Sequence, residues 1–519
     1  MNLPLMVLLA ALGPAPPVKP RLIVVITVDQ LRPDYLERYR SQLRSGFAML
    51  LQGGASFTDA YQDHAVTETA PGHATILSGR WPAHTGISRN TVGVGDANSP
   101  LIGLDGPGAS PARFRGTEFF DWLKAADPNA RALSVSRKDR GAILPIGRAQ
   151  ESVYWFQSGY FTTSRYYADS LPSWVRAFNG RRAPFRAAGA TWDLLLPARD
   201  YAEPDSVPYE NGGTGITFPH RLPADSAQAA IAYAGIPTMD SLTLAFALDG
   251  VRALQLGSRG ATDLLAVSLS TTDAVGHAFG PDSREIHDQI VRLDRYLGWF
   301  LTQLFVRYGK GNVVVVLTAD HGVTPFPERS RALGHAGAVR VIPDSIIANT
   351  NAALDRRTGG GDWLQFESGM LLLPDRAKLE GKGVDVDSVV ADVAARLRAL
   401  PGVARVDRPA ALDPKDTADP VIRRWVHQVP PDGGVELVVT LTPYSIWTLP
   451  NLPIAMHGQP TELDARVPIV FWGPGIRRGA YGERVSTVDI APTLARLLGL
   501  TPAEPLDGRP LTEALSSEP

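Results

Sequence analysis

Hydrophobic residues cluster in this chain as nearly unbroken runs that end on polar, chemistry-bearing residues. Leu22-Ile23-Val24-Val25-Ile26-Thr27-Val28 ends at Asp29. Asp263 to Ser270 leads into Thr271-Thr272-Asp273-Ala274-Val275-Gly276-His277, and Val313-Val314-Val315-Val316-Leu317-Thr318 leads into Ala319-Asp320-His321-Gly322. Runs without polar alternation suit strands covered on both faces, as in a parallel sheet between helices. Arg131 to Ser136 and Val467 to Gly473 read as further strands.

Between these runs the spacing turns helical. Helices are predicted up to about Leu51, from Thr69 onward, over 117–126, over Ser283 to Tyr308, and over Thr487 to Leu498. Tyr154 to Tyr167 is aromatic-rich, with Ser158-Gly159 as the turn of a hairpin. Residues 180–225, rich in Pro, Gly and Arg, read as an irregular excursion. The segment of about 330–455 breaks the rhythm: it carries Gly359-Gly360-Gly361, a helix near 386–400 and strand-like pieces at 403–407 and 435–441. It reads as a subdomain inserted into one catalytic domain spanning 19–519. Strand–helix alternation of this kind predicts an α/β fold with a largely parallel central sheet flanked by helices on both faces.

Composition narrows the chemistry. A formal net charge of −2 gives no electrostatic reason to expect nucleic acid or an anionic membrane, so an anionic substrate must be drawn by local charge such as metal ions. The chain has no cysteine, which excludes disulfides, thiolate ligands and a cysteine nucleophile; a metal site must use His and carboxylates. The apolar run Pro4 to Leu12, followed by Gly-Pro-Ala-Pro-Pro, is too short to span a bilayer but suits the core of a signal peptide over residues 1–18. With no later membrane-like segment, the expectation is a soluble protein, periplasmic or secreted.

Val66-Thr67-Glu68-Thr69-Ala70-Pro71-Gly72-His73-Ala74-Thr75 organises the rest. Thr69 reads as a helix N-cap, with Pro71 in the first turn, and a hydroxyl there faces the positive end of the helix dipole, where backbone N–H groups can hold phosphate. Alone, the stretch points to plain capping. Asp273 and His277, four apart, can share one face of a helical turn. Asp320 and His321 follow a buried strand, Asp29 ends the first strand, and His457 sits beside Gly458. Oxygen and imidazole donors suit Zn²⁺, with Mn²⁺ or Co²⁺ as alternatives. His73 and His84 read as structural, and Lys138-Asp139-Arg140-Gly141 as a turn, by itself an ordinary solvated one.

In order, Asp29, the Thr69-Ala70-Pro71-Gly72-His73 stretch, Asp273 with His277, Asp320-His321-Gly322 and His457-Gly458 resemble the metal-site pattern of the alkaline phosphatase superfamily, over about 21–500. Asn90 and Lys138-Asp139-Arg140-Gly141-Ala142-Ile143-Leu144-Pro145 make the chain similar to the threonine-type, phosphate-irrepressible periplasmic alkaline phosphatases (PafA type). The resemblance implies two Zn²⁺ per chain, one on Asp273, His277 and His457, the other on Asp29, Asp320, His321 and Thr69. It implies Thr69 as nucleophile, and Asn90, Lys138 and Arg140 as phosphate-binding groups, in an enzyme of broad specificity for small-molecule phosphate monoesters that releases inorganic phosphate. The chain shows no clear counterpart of the third, magnesium site of the serine-type enzymes, and the resemblance implies that the basic pair substitutes for it.

Four other readings remain. A phosphodiesterase or nucleotide pyrophosphatase of the superfamily would share the metals and threonine but not ordinarily the Lys-x-Arg pair. A sulfatase needs Cys or Ser followed by x-Pro-x-Arg, which Thr69 to His73 does not match. A cofactor-independent phosphoglycerate mutase would lack an export leader. A non-catalytic metal- or phosphate-binding exported protein would keep the ligands but have no need of Thr69.

Overall fold

The computed structural model describes residues 19–361, 363–415, 418–448 and 454–516; the leader expected over 1–18 lies outside them. The main sheet has nine strands, in the order Gly479–Ser486, Ala55–Tyr61, Ile469–Trp472, Val313–Thr318, Leu22–Val28, Asp263–Leu269, Ala132–Ser136, Ser152–Gln157 and Tyr160–Thr162. The five strands from Val313–Thr318 to Ser152–Gln157 pair in parallel. Ile469–Trp472 and Tyr160–Thr162 run antiparallel to their neighbours. The fold is thus α/β with a mostly parallel central sheet.

The apolar runs are apolar because both faces are covered. Leu22, Val24, Ile26 and Val28 enter one core, with Phe47, Phe246, Ile290 and Leu297 from helices Gly46–Gly53, Thr238–Ala253 and Arg284–Tyr308. Ile23 and Val25 enter the other, with Ile76, Phe119, Ile143 and Leu494 from helices Thr69–Ser78, Phe119–Ala126, Asp139–Ile143 and Ile490–Leu498. Each fully buried Val, Leu or Ile side chain contributes roughly 1.5–3 kcal/mol, so alternate burial on two faces makes these strands the rigid centre.

Several expectations shift. The helix to about Leu51 is two short ones, Pro33–Arg38 and Gly46–Gly53. Ala55–Tyr61 and Gly479–Ser486 are strands that the hydrophobic pattern does not announce, because polar residues interrupt both and their order comes from pairing at the sheet edge. Lys138 to Gly141 is not a turn: Lys138 is the N-cap residue of helix Asp139–Ile143. Within 180–225, a short helix Ala183–Arg186 and the paired strands Thr191–Trp192 and His220–Arg221 interrupt the irregular chain.

A second sheet, antiparallel throughout, is ordered Gln365–Glu367, Met370–Leu372, Val435–Leu441, Val403–Asp407. With helices Asp344–Thr358 and Val386–Arg398 it encloses its own core around Trp363, Leu371, Val390, Leu397 and Val439. Helix Pro420–Gln428 returns to the main sheet, where Arg423 Nε lies 2.7 Å and Arg424 Nε 3.2 Å from the Asp63 carboxylate. Among the described residues, no single helix is long and apolar enough to cross a membrane.

Burial pushes the Asp63 carboxyl up, but Arg423 and Arg424 more than offset it and hold it at about 2. A depressed carboxylate stabilises the folded state above its ordinary pKa, and this contribution, about 2 kcal/mol, is lost as pH falls from about 4 through about 2. Between about pH 5 and about pH 2.5 the melting temperature of the wild type should therefore fall further than that of Asp63→Asn, which starts lower. Equal falls would show that these ion pairs do not hold the second sheet to the first.

Candidate active site

Parallel strands deliver their following residues to one edge of a sheet, where ligands of open α/β folds collect. Asp29, Lys138, Asp273 and Asp320 all follow the ends of parallel strands here. Helix Thr271–Phe279 begins just past strand Asp263–Leu269 and sets Asp273 and His277 one turn apart, with His277 Nε2 3.2 Å from Asp273 Oδ1. His457 joins them: its Nε2 lies 3.2 Å from His277 Nε2 and 3.6 Å from Asp273 Oδ1. The start of this helix is fixed from behind by buried Asp240, which accepts from Thr271 Oγ1 at 2.8 Å and Gln289 Nε2 at 2.8 Å.

The second group gathers Asp29, Asp320, His321, Thr69 and a residue read from the sequence as structural, His73. His73 Nδ1 is 3.4 Å from Asp320 Oδ2 and its Nε2 3.7 Å from Asp29 Oδ1. Its nitrogens are engaged elsewhere, Nδ1 with the Thr69 carbonyl at 2.9 Å and Nε2 with Ser268 Oγ at 3.0 Å. His321 is placed differently, with Nε2 3.4 Å from Asp320 Oδ2 and no hydrogen-bond partner. His73 is thus tied to the first turn of its own helix, and the Nε2 of His321 is left open beside Asp320. His84 stands apart, bonded to Asp507 at the surface.

The imidazoles of His277, His321 and His457 share one pattern. Each Nδ1 meets a backbone carbonyl, of Ala455 at 2.7 Å, Gly322 at 2.9 Å and Thr67 at 2.7 Å respectively. A ring that donates through Nδ1 carries its lone pair on Nε2, the arrangement that prepares histidine for a metal. Asp320 Oδ2 and His321 Nε2 are buried with no hydrogen-bond partner, a costly state unless a cation satisfies them. Burial, then the neighbouring His457, holds the His321 pKa well below its ordinary value. Asp273 sits well below the carboxylate range although burial opposes it, because Lys138 and His277 favour its charged form. This donor set fits divalent cations.

Thr69 is the first residue of helix Thr69–Ser78, not its N-cap; Glu68, in extended backbone, takes that place. The hydroxyl is therefore not spent on the helix's own amides. Lys138 Nζ donates to it at 3.0 Å and lies 2.8 Å from Asp29 Oδ2 and 2.7 Å from Asp273 Oδ2, joining both acidic groups to the threonine. Asn90 Oδ1 accepts from the Ala70 N–H at 2.9 Å, which turns its Nδ2 away as an available donor. Arg140 has Asp139 3.6 Å away and lines an open depression of about 370 Å³ with Arg137 and Gln157.

Sequence reasoning passed over Gln30 and Arg137. Gln30 adopts φ +64°, unusual for a non-glycine; its N–H donates to Asp320 Oδ1 at 3.1 Å and its Nε2 to Asp273 Oδ1 at 3.0 Å. Arg137 Nη2 lies 3.9 Å from Asp273 Oδ2. Only its position beside Lys138 could have marked Arg137, and nothing in the pattern marks Gln30. Two glycines permit the close approaches, since a Cβ on Gly72 would overlap the Asp320 carbonyl and one on Gly276 the Gln30 carboxamide.

Residues 23–401 match the family described as type I phosphodiesterase / nucleotide pyrophosphatase. The chain is 31% identical to alkaline phosphatase PhoV of Synechococcus elongatus, over 96% of this chain and 93% of that protein. It is 30% identical to alkaline phosphatase PafA of Elizabethkingia meningoseptica, over 96% and 95% respectively. The crystal structure of wild-type PafA superposes with a TM-score of 0.88 at 29% identity, covering 96% of this chain and 99% of that one. A family match over most of the chain and relatives matched almost end to end agree with a donor set that fits cations: the protein is a phosphoric ester hydrolase belonging to the type I phosphodiesterase / nucleotide pyrophosphatase family of the alkaline phosphatase superfamily.

Proposed function

We propose that the chain is an exported, zinc-dependent alkaline phosphatase that hydrolyses small phosphate monoesters, with broad specificity, through a phospho-threonine. The observation that carries this reading is the Lys138 ammonium held against Thr69, Asp29 and Asp273. Residues 330–455 are then a subdomain inserted into a catalytic domain of 19–519.

Zinc ions on Asp273, His277 and His457, and on Asp29, Asp320, His321 and Thr69, would polarise the ester and lower the pKa of the oxygens they touch. The Thr69 hydroxyl oxygen attacks phosphorus, the Oγ–P bond forms, and the ester bond breaks to release the alcohol, which takes up a proton. Water then cleaves the Oγ–P bond, giving inorganic phosphate and restoring the hydroxyl. Lys138 supports the threonine oxygen as it loses its proton. Asn90 Nδ2, Lys138 and Arg140 donate to the non-bridging oxygens as charge redistributes. His73, bonded to the Thr69 carbonyl, keeps the first helical turn in place.

A solved variant of PafA carries substitutions at a threonine, an asparagine, a lysine and an arginine; the threonine and asparagine are spaced as Thr69 and Asn90 are, and the lysine and arginine as Lys138 and Arg140 are, with a longer stretch between the two pairs there. PhoV, PafA and PhoK of Sphingomonas are all named alkaline phosphatases, which supports monoesters as the substrate.

Elemental analysis of active protein should find about two zinc ions per chain, and chelation should abolish turnover. His457→Ala should lose metal and activity together; full turnover by metal-free protein would reject the reading.

Thr69→Ala should fold, bind metal and form no phospho-enzyme, with turnover reduced by several orders of magnitude, while Thr69→Ser keeps substantial activity. Near-normal hydrolysis by the alanine variant would place the nucleophile elsewhere.

A monoester dianion presents three non-bridging oxygens and a diester two. Each well-placed donor is worth on the order of 3 kcal/mol, about a hundredfold in rate. Lys138→Ala/Arg140→Ala should thus lose most of its kcat/KM for an aryl phosphate and little for an aryl methyl phosphate diester. Equal losses would mean that the pair supports the fold or the metals, and a wild type that prefers the diester would make the enzyme a phosphodiesterase.

A further inference from the structure

Asn90 sits in a short 3₁₀ turn, Asn90–Val92, too brief to hold itself in place. Its order comes from a distant part of the chain. Strands Gln365–Glu367 and Met370–Leu372 of the second sheet are joined by Ser368 and Gly369, with φ +51° and +77°, a tight hairpin turn. That turn reaches the main sheet's site. Glu367 Oε2 accepts from Arg89 Nε at 2.7 Å and from Thr91 Oγ1 at 2.7 Å, gripping the residues on either side of Asn90. The Ser368 hydroxyl donates to Glu68 Oε1, and Glu68 Oε2 accepts the Asn90 N–H at 2.8 Å. Asn90 Oδ1 then closes the circuit on the Ala70 N–H, beside Thr69.

A second hold comes from the same insertion. Gln428, fully buried at the end of helix Pro420–Gln428, accepts the Val66 N–H at 2.9 Å and donates to the Ser88 carbonyl at 2.6 Å. The two loops that carry Thr69 and Asn90 are thereby tied together twice by residues more than two hundred positions away. Charge-assisted bonds to a carboxylate, with Arg89 and Glu367 only partly exposed, are the strong members of this set.

We infer that the Glu367-Ser368 turn is a positioning element for the phosphate site: Glu367, acting through Arg89 and Thr91, and Ser368, acting through Glu68, aim the Asn90 carboxamide at the phosphoryl oxygens. The inference rests on the monoesterase reading. Glu367 touches no substrate; its contribution passes through Asn90. A misaimed donor loses transition-state stabilisation and weakens binding of the phosphate product together.

The test is a double-mutant cycle on the zinc-loaded full chain, with phenyl phosphate as substrate and inorganic phosphate as inhibitor. Glu367→Ala should lower kcat/KM about tenfold and raise the phosphate inhibition constant by a similar factor, with metal content unchanged. Glu367→Gln, which keeps an acceptor oxygen, should recover most of the loss. In an Asn90→Ala background, Glu367→Ala should change kcat/KM by less than about twofold. Ser368→Ala, which removes a single hydroxyl, repeats the cycle if Glu367→Ala folds poorly, and should show a smaller but equally non-additive loss. Losses that multiply with Asn90→Ala, or an unchanged phosphate inhibition constant, overturn the inference. A wild type inactive on phenyl phosphate rejects the monoesterase reading instead.

Discussion

Three carboxylates, Asp29, Asp273 and Asp320, are brought close together and almost wholly removed from water. Burying like charges is among the most costly arrangements a protein can adopt, and it persists only when cations or hydrogen bonds answer each oxygen. Much of the surrounding structure serves that end. Ser268 Oγ donates to Asp29, Gln30 reaches Asp320 and Asp273, and Lys138 inserts its ammonium between Asp29 and Asp273. The three imidazoles turn their lone pairs toward the same space. What the protein leaves unanswered, Oδ2 of Asp320 and Nε2 of His321 among them, is a demand of the kind that a divalent ion would meet.

The rigidity that holds these groups together comes from the two cores on either side of the sheet. Strand ends are the least deformable places in such a molecule, because each preceding residue is packed on alternate faces. Acids placed there need no large loop to orient them. Helix Thr69–Ser78 lies across the same edge and touches it without clearance at Gly72, so its first turn is fixed against Asp320.

The apolar runs and the residues that close them were legible in the sequence, because a buried parallel strand imposes an unmistakable composition on its residues. The helical spacing of Asp273 and His277 was legible for a similar reason. Thr69 was legible as a helix start but displaced by one residue: propensity makes threonine a better cap than glutamate, whereas here Glu68 is held by Asn90 and Ser368 and the helix begins after it. That offset frees the hydroxyl. Gln30 escaped because its contacts with Asp320 and Asp273 lie more than two hundred residues away, for which no local pattern exists. The strand Ala55–Tyr61 escaped because its neighbours on both sides, not its own residues, make it a strand.

Gln30 links the two acidic groups thermodynamically. Its backbone binds Asp320 and its side chain binds Asp273, and the Lys138 ammonium likewise spans Asp29 and Asp273. Each of the three carboxylates thus has at least one partner that also serves the other group. If cations load both groups, as the proposed reading requires, occupancy of one is therefore an argument in the free energy of the other, and the two isotherms are not independent functions. A titration of the ion-free protein would trace the loading of a single coupled centre, in which the first ion to arrive resets the affinity felt by the next.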